Sequence, residues 1–203
     1  MYLEENFMRT SGLTRKTNET KISLSLSLDG SGKSNIVTGC GFFDHMLTQF
    51  AKHSKFDLYV SCESDTDVDY HHTVEDVAML LGRAFNEALG DRRGINRFAD
   101  ATIPMDDSLI LAAVDISGRG YLAFDVPFLS ERIGDFDVEL VEEFFMTFVR
   151  NSSVTLHLRK LAGNNSHHTA ECLFKAFARV LRDASSLDSA FKNDIPSAKG
   201  VLR

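Results

Sequence analysis

Between Lys21 and Leu28 the apolar residues Ile22, Leu24, Leu26 and Leu28 alternate with polar ones at period two, which predicts a strand with one buried and one wet face. Asp29-Gly30-Ser31-Gly32 turns the chain back, and Ser34 to Thr38 reads as the returning strand. Phe43, Met46, Leu47 and Phe50 then recur at helical spacing and predict a helix from Phe42 to His53. Phe56 to Val60 is a further strand. A second helix runs from Thr73 to Leu89, with Val77, Leu80, Leu81, Ala84 and Leu89 on one side and Gly90 as its stop.

The same order returns in the second half. Ser108 to Ile116 reads as a strand, Ser117-Gly118-Arg119-Gly120 as a turn and Tyr121 to Val126 as the partner strand. After a loop from Pro127 to Phe136 come a helix (Val138 to Val149), a strand (Ser153 to Leu158) and a helix (His168 to Ala184). Phe56-Asp57-Leu58-Tyr59-Val60 corresponds to Val154-Thr155-Leu156-His157-Leu158, and Asp44-His45 to Glu142-Glu143, both 98 positions apart. That register argues for an internal duplication with too long a period for a solenoid. The expected fold class is α+β: an internally duplicated two-half layered sandwich, each half strand-strand-helix-strand-helix. Residues 1–203 would form a single body, with repeat halves over 9–95 and 96–190 and a C-terminal tail over 191–203.

The repeat has chemical content. His71-His72-Thr73-Val74-Glu75 returns 96 positions later as His167-His168-Thr169-Ala170-Glu171, so four of the seven histidines lie in two short stretches. Adjacent histidines on a helix point ~100° apart, so each doublet serves two ions rather than chelating one. Glu75, four residues after His71 and three after His72, can join one of them. A single H-H-x-x-E is weak evidence; two in register are strong. His45, aligned with Gln49 and His53 along its helix, has the metal-competent Glu143 as repeat partner. His45, His71, His72, Glu75, Glu143, His167, His168 and Glu171 thus supply eight donors, four for each of two ions. Imidazole and carboxylate without thiolate suit manganese, iron, zinc or nickel.

Composition narrows the setting. The 203 residues are 43% hydrophobic and 25% charged, an ordinary globular balance, and the net charge of −7 argues against nucleic acid as a partner. Cys40, Cys62 and Cys172 have no C-x-x-C spacing and are expected to be reduced, buried thiols. The start MYLEENFMRT lacks the apolar run of a signal peptide, and no stretch reaches membrane-spanning length, so a cytoplasmic protein without membrane contact is expected.

Gly30-Ser31-Gly32-Lys33-Ser34 imitates the end of a P-loop, but the first glycine of that motif would fall on Ser27 inside a strand, and a strand follows instead of a helix. A hairpin turn is the better reading. Arg97, Arg119 and Lys175, near loops or on a helix adjoining the metal motifs, together with the Ile195-Pro196-Ser197-Ala198-Lys199-Gly200 tail, suggest a phosphate site.

With these pieces in place the chain closely resembles the imidazoleglycerol-phosphate dehydratase family, from about Arg9 to Leu202. The resemblance rests on Arg15-Lys16-Thr17-Asn18-Glu19-Thr20, Phe43-Asp44-His45-Met46-Leu47, Asp69-Tyr70 with the first histidine motif and Asp76, Leu161-Ala162-Gly163-Asn164-Asn165-Ser166 before the second, and the tail. It implies a ribosomal protein S5 domain 2-like fold, two Mn2+ per active site and a 24-subunit homo-oligomer with sites between subunits. Its metal ligands would be His45, His71, His72, Glu75, His167, His168 and Glu171. Glu143 stands where many members have histidine. Substrate contacts would come from Glu19, His45, Gln49, His53, His71, Arg97, Arg119, His167, Lys175, Ser197 and Lys199, the phosphate falling to Gln49, Arg97, Arg119, Lys175, Ser197 and Lys199, with Ala198 in place of a more usual threonine.

The implied reaction is the dehydration of D-erythro-imidazole glycerol phosphate to imidazole acetol phosphate in histidine biosynthesis. No carbonyl acidifies the carbon that loses its proton, so the ring must help: a metal-bound imidazolate expels the C3 hydroxyl, giving a diazafulvene that then loses the C2 proton. Glu19 and Glu171 are the candidates for proton transfer and hydroxyl orientation. A metal-dependent phosphate-ester hydrolase is the rival enzyme, and a metal-storage oligomer the rival without chemistry. The second would need ferritin-like long helices in place of alternating strands.

Overall fold

The computed structural model describes residues 8–202; of the expected 1–203 body, residues 1–7 and residue 203, the last of the tail, lie outside the described residues. The first half runs β1 (Thr10–Lys16), β2 (Thr20–Ser27), β3 (Ser34–Val37), α1 (Gly41–Ser54), β4 (Asp57–Ser64) and α2 (His71–Ala88). The second runs β5 (Phe98–Met105), β6 (Ser108–Asp115), β7 (Tyr121–Asp125), α3 (Glu139–Ser152), β10 (Thr155–Ala162) and α4 (Ser166–Ser185), with the short pair β8 (Arg132–Ile133) and β9 (Phe136–Asp137) inserted before α3. The strand-strand-helix-strand-helix order holds in both halves, each preceded by one further strand. Among the described residues the four helices alternate with strands, unlike a ferritin-like bundle.

The sheets have orders β1-β2-β4-β3 and β5-β6-β10-β7. Their pairing differs from the hairpins expected at Asp29–Gly32 and Ser117–Gly120. The chain does reverse there, but β3 pairs in parallel with β4, and β7 in parallel with β10, because β4 and β10 insert beside β2 and β6. The Gly30–Lys33 turn is filled by its own protein: Asp57 Oδ1 accepts from the Ser31 and Lys33 amides, both at 2.8 Å. A Cβ on Gly30 would meet the Asp57 amide nitrogen at 2.5 Å, so the close approach requires glycine. Backbone donors that a P-loop offers to phosphate are here taken by a carboxylate.

Alternation on β2 and β6 explains the layering. Ile22, Leu24 and Leu26 of β2, like Ile110, Ala112 and Val114 of β6, point to one face and are buried. α2 covers β1, β2 and β4, while α4 covers β5 and β6. The helices then face one another, α1 on α4 and α2 on α3, giving sheet, helices, helices, sheet. Phenylalanines fill the seam: Phe50 stacks on Phe177 at 5.3 Å, Phe85 meets Phe148 at 5.9 Å, and Phe43 meets Phe144 edge-on at 5.7 Å. One apolar core runs across both halves. Cys40, Cys62 and Cys172 are buried free thiols; burial pushes the latter two up to about 11. Among the described residues, no helix is long and apolar enough to cross a membrane.

Candidate metal centre and active site

The packing of α1 on α4 brings three donors together. His45 Nε2 lies 3.2 Å from Glu171 Oε2, and His167 Nε2 lies 3.3 Å from the same oxygen. Among the described residues this is the one group of three or more potential ligands whose atoms all lie within 4.8 Å of one another. Glu171 is buried, and its other oxygen takes Lys175 Nζ at 2.7 Å. Burial pushes the Glu171 carboxyl upward, but hydrogen bonds from Lys175 and His45 outweigh it and hold the group below the ordinary glutamate range. His53, two turns beyond His45, is lowered by burial and by the cationic Lys175, Lys55 and Arg179, against a weaker opposing pull from Glu171. An imidazole pair with an ionised carboxylate fits a divalent cation.

The adjacent histidines turn away. Ring planes of His71 and His72 stand at 88° with centroids 6.2 Å apart, and those of His167 and His168 at 86° and 6.3 Å. The second histidine of each pair binds a carboxylate through Nδ1: His72 to Asp65 at 3.2 Å, His168 to Asp107 at 2.7 Å. Such bonds fix the ring and leave Nε2 as the atom that could face a cation. His72 Nε2 is 3.8 Å from Glu19 Oε1, and His168 Nε2 is 3.6 Å from Asp106. The His72 ring is raised chiefly by its Asp65 bond. Asp107 also accepts the amides of Asn164 and Asn165, which, with His168, hold its carboxyl well below the usual range.

The repeat-related donors are less gathered. Glu143 accepts Thr147 Oγ1 at 2.8 Å along its own helix. His71 is exposed, its amide capped by Asp69 at 2.7 Å, and Glu75 is half-buried one turn further on. Gln49, on α1 between His45 and His53, is also half-buried.

The basic residues separate into two ends. Lys175 stands beside Glu171 in the candidate metal site, whereas the Arg97 amide bonds to Ala184 at the far end of α4, and Ile116, just before the Ser117–Arg119 turn, bonds to Arg97. Arg97 donates to both Asp115 oxygens, at 2.7 and 3.1 Å, and to Pro196 O at 2.8 Å, next to Ser197; Lys199 N donates to Ser197 Oγ. From Glu171 to Ala184 the helix rises about 20 Å at ~1.5 Å per residue. In one chain, therefore, Arg97, Arg119, Ser197 and Lys199 do not adjoin the His45–His167–Glu171 trio.

The imidazoleglycerol-phosphate dehydratase family model matches residues 38–181, which include the trio and both histidine pairs. An imidazoleglycerol-phosphate dehydratase from Acidiphilium cryptum (strain JF-5) is 54% identical over 194 residues, covering 96% of this chain and 99% of the relative. The chain belongs to the imidazoleglycerol-phosphate dehydratase family. The family's enzyme from Oceanobacillus iheyensis is 53% identical over 195 residues, 96% of this chain and 100% of the relative. The crystal structure of the Staphylococcus aureus dehydratase superposes with a TM-score of 0.81 at 38% identity, covering 88% of this chain and 99% of that one. That from Pyrococcus furiosus gives 0.80 at 35%, covering 94% and 100%. The fold is theirs, and the chain is a hydro-lyase acting in histidine biosynthesis.

Within that family setting, Asp65, Asp106 and Asp107 are the site residues that sequence reasoning missed. Asp65 follows β4 and Asp107 turns β5 into β6, so neither shares a periodic pattern with the histidine it holds. The signal that could have found Asp107 is positional: it immediately precedes the strand covered by the helix that carries His168.

Proposed function

We propose that the chain dehydrates D-erythro-imidazole glycerol phosphate to imidazole acetol phosphate, using two Mn2+ per active site. The sites would lie between subunits of a cytoplasmic 24-subunit homo-oligomer. The single observation that carries the reading is the His45–His167–Glu171 trio, with His168 of the same helix turned away from it onto Asp107. One chain gathers three donors and holds His72 and His168 apart on separate carboxylates, so a second copy would be needed to complete each shell. Lys175 and Ala184, where Arg97 is anchored, lie about 13 Å apart along the helix, more than one phosphate group spans, which supports the same assembly. Free buried thiols suit a reducing compartment.

The residues that would hold the ions are His45, His71, His72, Glu75, His167, His168 and Glu171, with Glu143 as a further carboxylate. A bound divalent cation supplies Lewis acidity to the imidazole ring, favouring the anionic ring that can push out the C3 hydroxyl. The protein does the rest. Glu171, kept ionised by Lys175, holds its two histidines in place and can orient the departing hydroxyl. Glu19, exposed and 3.8 Å from His72 Nε2, moves the proton from C2, after which the enol becomes the ketone. Arg97, Arg119, Ser197 and Lys199, with Gln49 and Lys175 from the neighbouring copy, fix the phosphate. Residues 191–203 thereby act as a substrate-contacting tail.

The test is conversion of imidazole glycerol phosphate by the purified oligomer with and without manganese. Product should form with the metal and cease on chelation and in His72→Ala. Metal-loaded protein that yields no product would sink the reading.

A further inference from the structure

The two halves differ at one buried place beside the histidine motifs. Asp76 follows the first motif, and 96 positions later Cys172 follows the second. Both are buried. Cys172 Sγ donates to Ile103 O at 3.0 Å. Asp76 instead takes Arg15 Nε at 3.0 Å on one oxygen and Thr20 Oγ1 at 2.5 Å on the other. A buried carboxylate is costly unless paired and hydrogen-bonded, and the second half packs the same place with a thiol. Packing alone therefore does not require the charge.

The added bonds lead to Glu19. The Thr20 hydroxyl, its proton given to Asp76, accepts from Thr17 Oγ1 at 3.2 Å. Thr17 Oγ1 in turn accepts the amides of Glu19 at 3.1 Å and Thr20 at 2.9 Å. On the other side, Glu19 O accepts from the Asp65 amide at 3.2 Å, and the Asp65 carboxylate holds His72. In the second half, Ser108, first in β6 as Thr20 is first in β2, meets Thr169 Oγ1 at 3.2 Å. Among the described residues, no carboxylate closes that pair.

We propose that Asp76 is a positioning residue for the dehydration: through Thr20 and Thr17 it fixes the backbone of Glu19, and hence where the Glu19 carboxylate stands against His72. This rests on the reading of Glu19 as the proton-transfer group.

The experiment compares Glu19→Gln, Thr20→Val, Thr20→Ser and the double variant Glu19→Gln/Thr20→Val in the manganese-loaded oligomer. Thr20→Val keeps the shape and removes the hydroxyl. It should lower kcat by roughly ten- to a hundredfold, the effect of misplacing a catalytic group by about 1 Å, with KM, bound manganese and oligomer size unchanged. Thr20→Ser should restore kcat. Added to Glu19→Gln, Thr20→Val should cost nothing more, because two residues acting as one unit are not additive. Should Thr20→Val lose metal or assembly, Thr17→Ala breaks the same chain one link nearer Glu19 and should give the same kcat loss. An impaired Glu19→Gln beside wild-type turnover in Thr20→Val, or losses that multiply in the double variant, would overturn the role of Asp76 alone. Near-normal turnover of Glu19→Gln would remove Glu19 from the mechanism, and this role with it.

Discussion

Lys175 Nζ stands 2.7 Å from Glu171 Oε1, one helical turn further along α4, while Oε2 of the same carboxylate faces His45 and His167. The lysine thus keeps a buried acid ionised without occupying the oxygen that the imidazoles share. Sign and window follow. A carboxylate depressed in the folded state stabilises the fold above its unfolded value, about pH 4.3, and that contribution disappears as pH falls through the folded value. Lys175→Met should therefore lower the urea midpoint of metal-stripped protein at pH 7, and the gap from wild type should close below about pH 4. A gap constant across that range would show that Lys175 stabilises by something other than this charge pair.

Asp107 gathers three donors, the amides of Asn164 and Asn165 and the His168 ring, so one carboxylate sets both the loop before α4 and the orientation of the His168 imidazole. Asp107→Ala should weaken manganese binding by roughly 10- to 100-fold, the usual effect of losing the carboxylate behind a ligating histidine. Calorimetric titration of the stripped oligomer measures it. Unchanged affinity would separate His168 from the metal.

What could be read in the sequence was whatever leaves a local period. The two histidine doublets, the helices that carry them and the β2 alternation are all of that kind. Two edge strands escaped: β1, where Ser11, Leu13 and Arg15 line one face with a single apolar side chain, and β5, whose Ala99, Ala101 and Ile103 are small or interrupted by Pro104. Turn residues marked the reversals after β2 and β6, yet the pairing of β3 with β4 and β7 with β10 depends on strands that arrive a helix later. His45 meets Glu171 across 126 positions and His168 meets Asp107 across 61, through packing that no spacing records.

The phenylalanine seam carries a stability prediction. Phe144 is fully buried on α3 and touches the rings of Phe43, Phe145, Phe148, Phe174 and Phe177, so it joins α1, α3 and α4. Phe144→Ala should cost about 3–5 kcal/mol, read from urea unfolding of the metal-stripped protein. A loss under about 1 kcal/mol would mean that the neighbouring rings collapse into the space.

Arg97 and Lys175 are proposed to hold one phosphate, yet in a single chain Lys175 sits mid-way along α4 while Arg97 bonds near its C-terminal end, about 13 Å further on. Held as they are, Lys175 on Glu171 and Arg97 on Asp115, they would reach the same phosphate from different copies, and each copy then completes its neighbour. Arg97→Ala and Lys175→Ala should each be poorly active as pure oligomers. Dissociated together and reassembled, they should regain activity, since at random mixing about a quarter of the sites receive an intact Arg97 from one copy and an intact Lys175 from the other. The measurement is specific activity against mixing ratio, which should peak at equal parts. Were both residues drawn from one chain, every site would carry one defect or the other, and the mixture would stay at the average of the two variants.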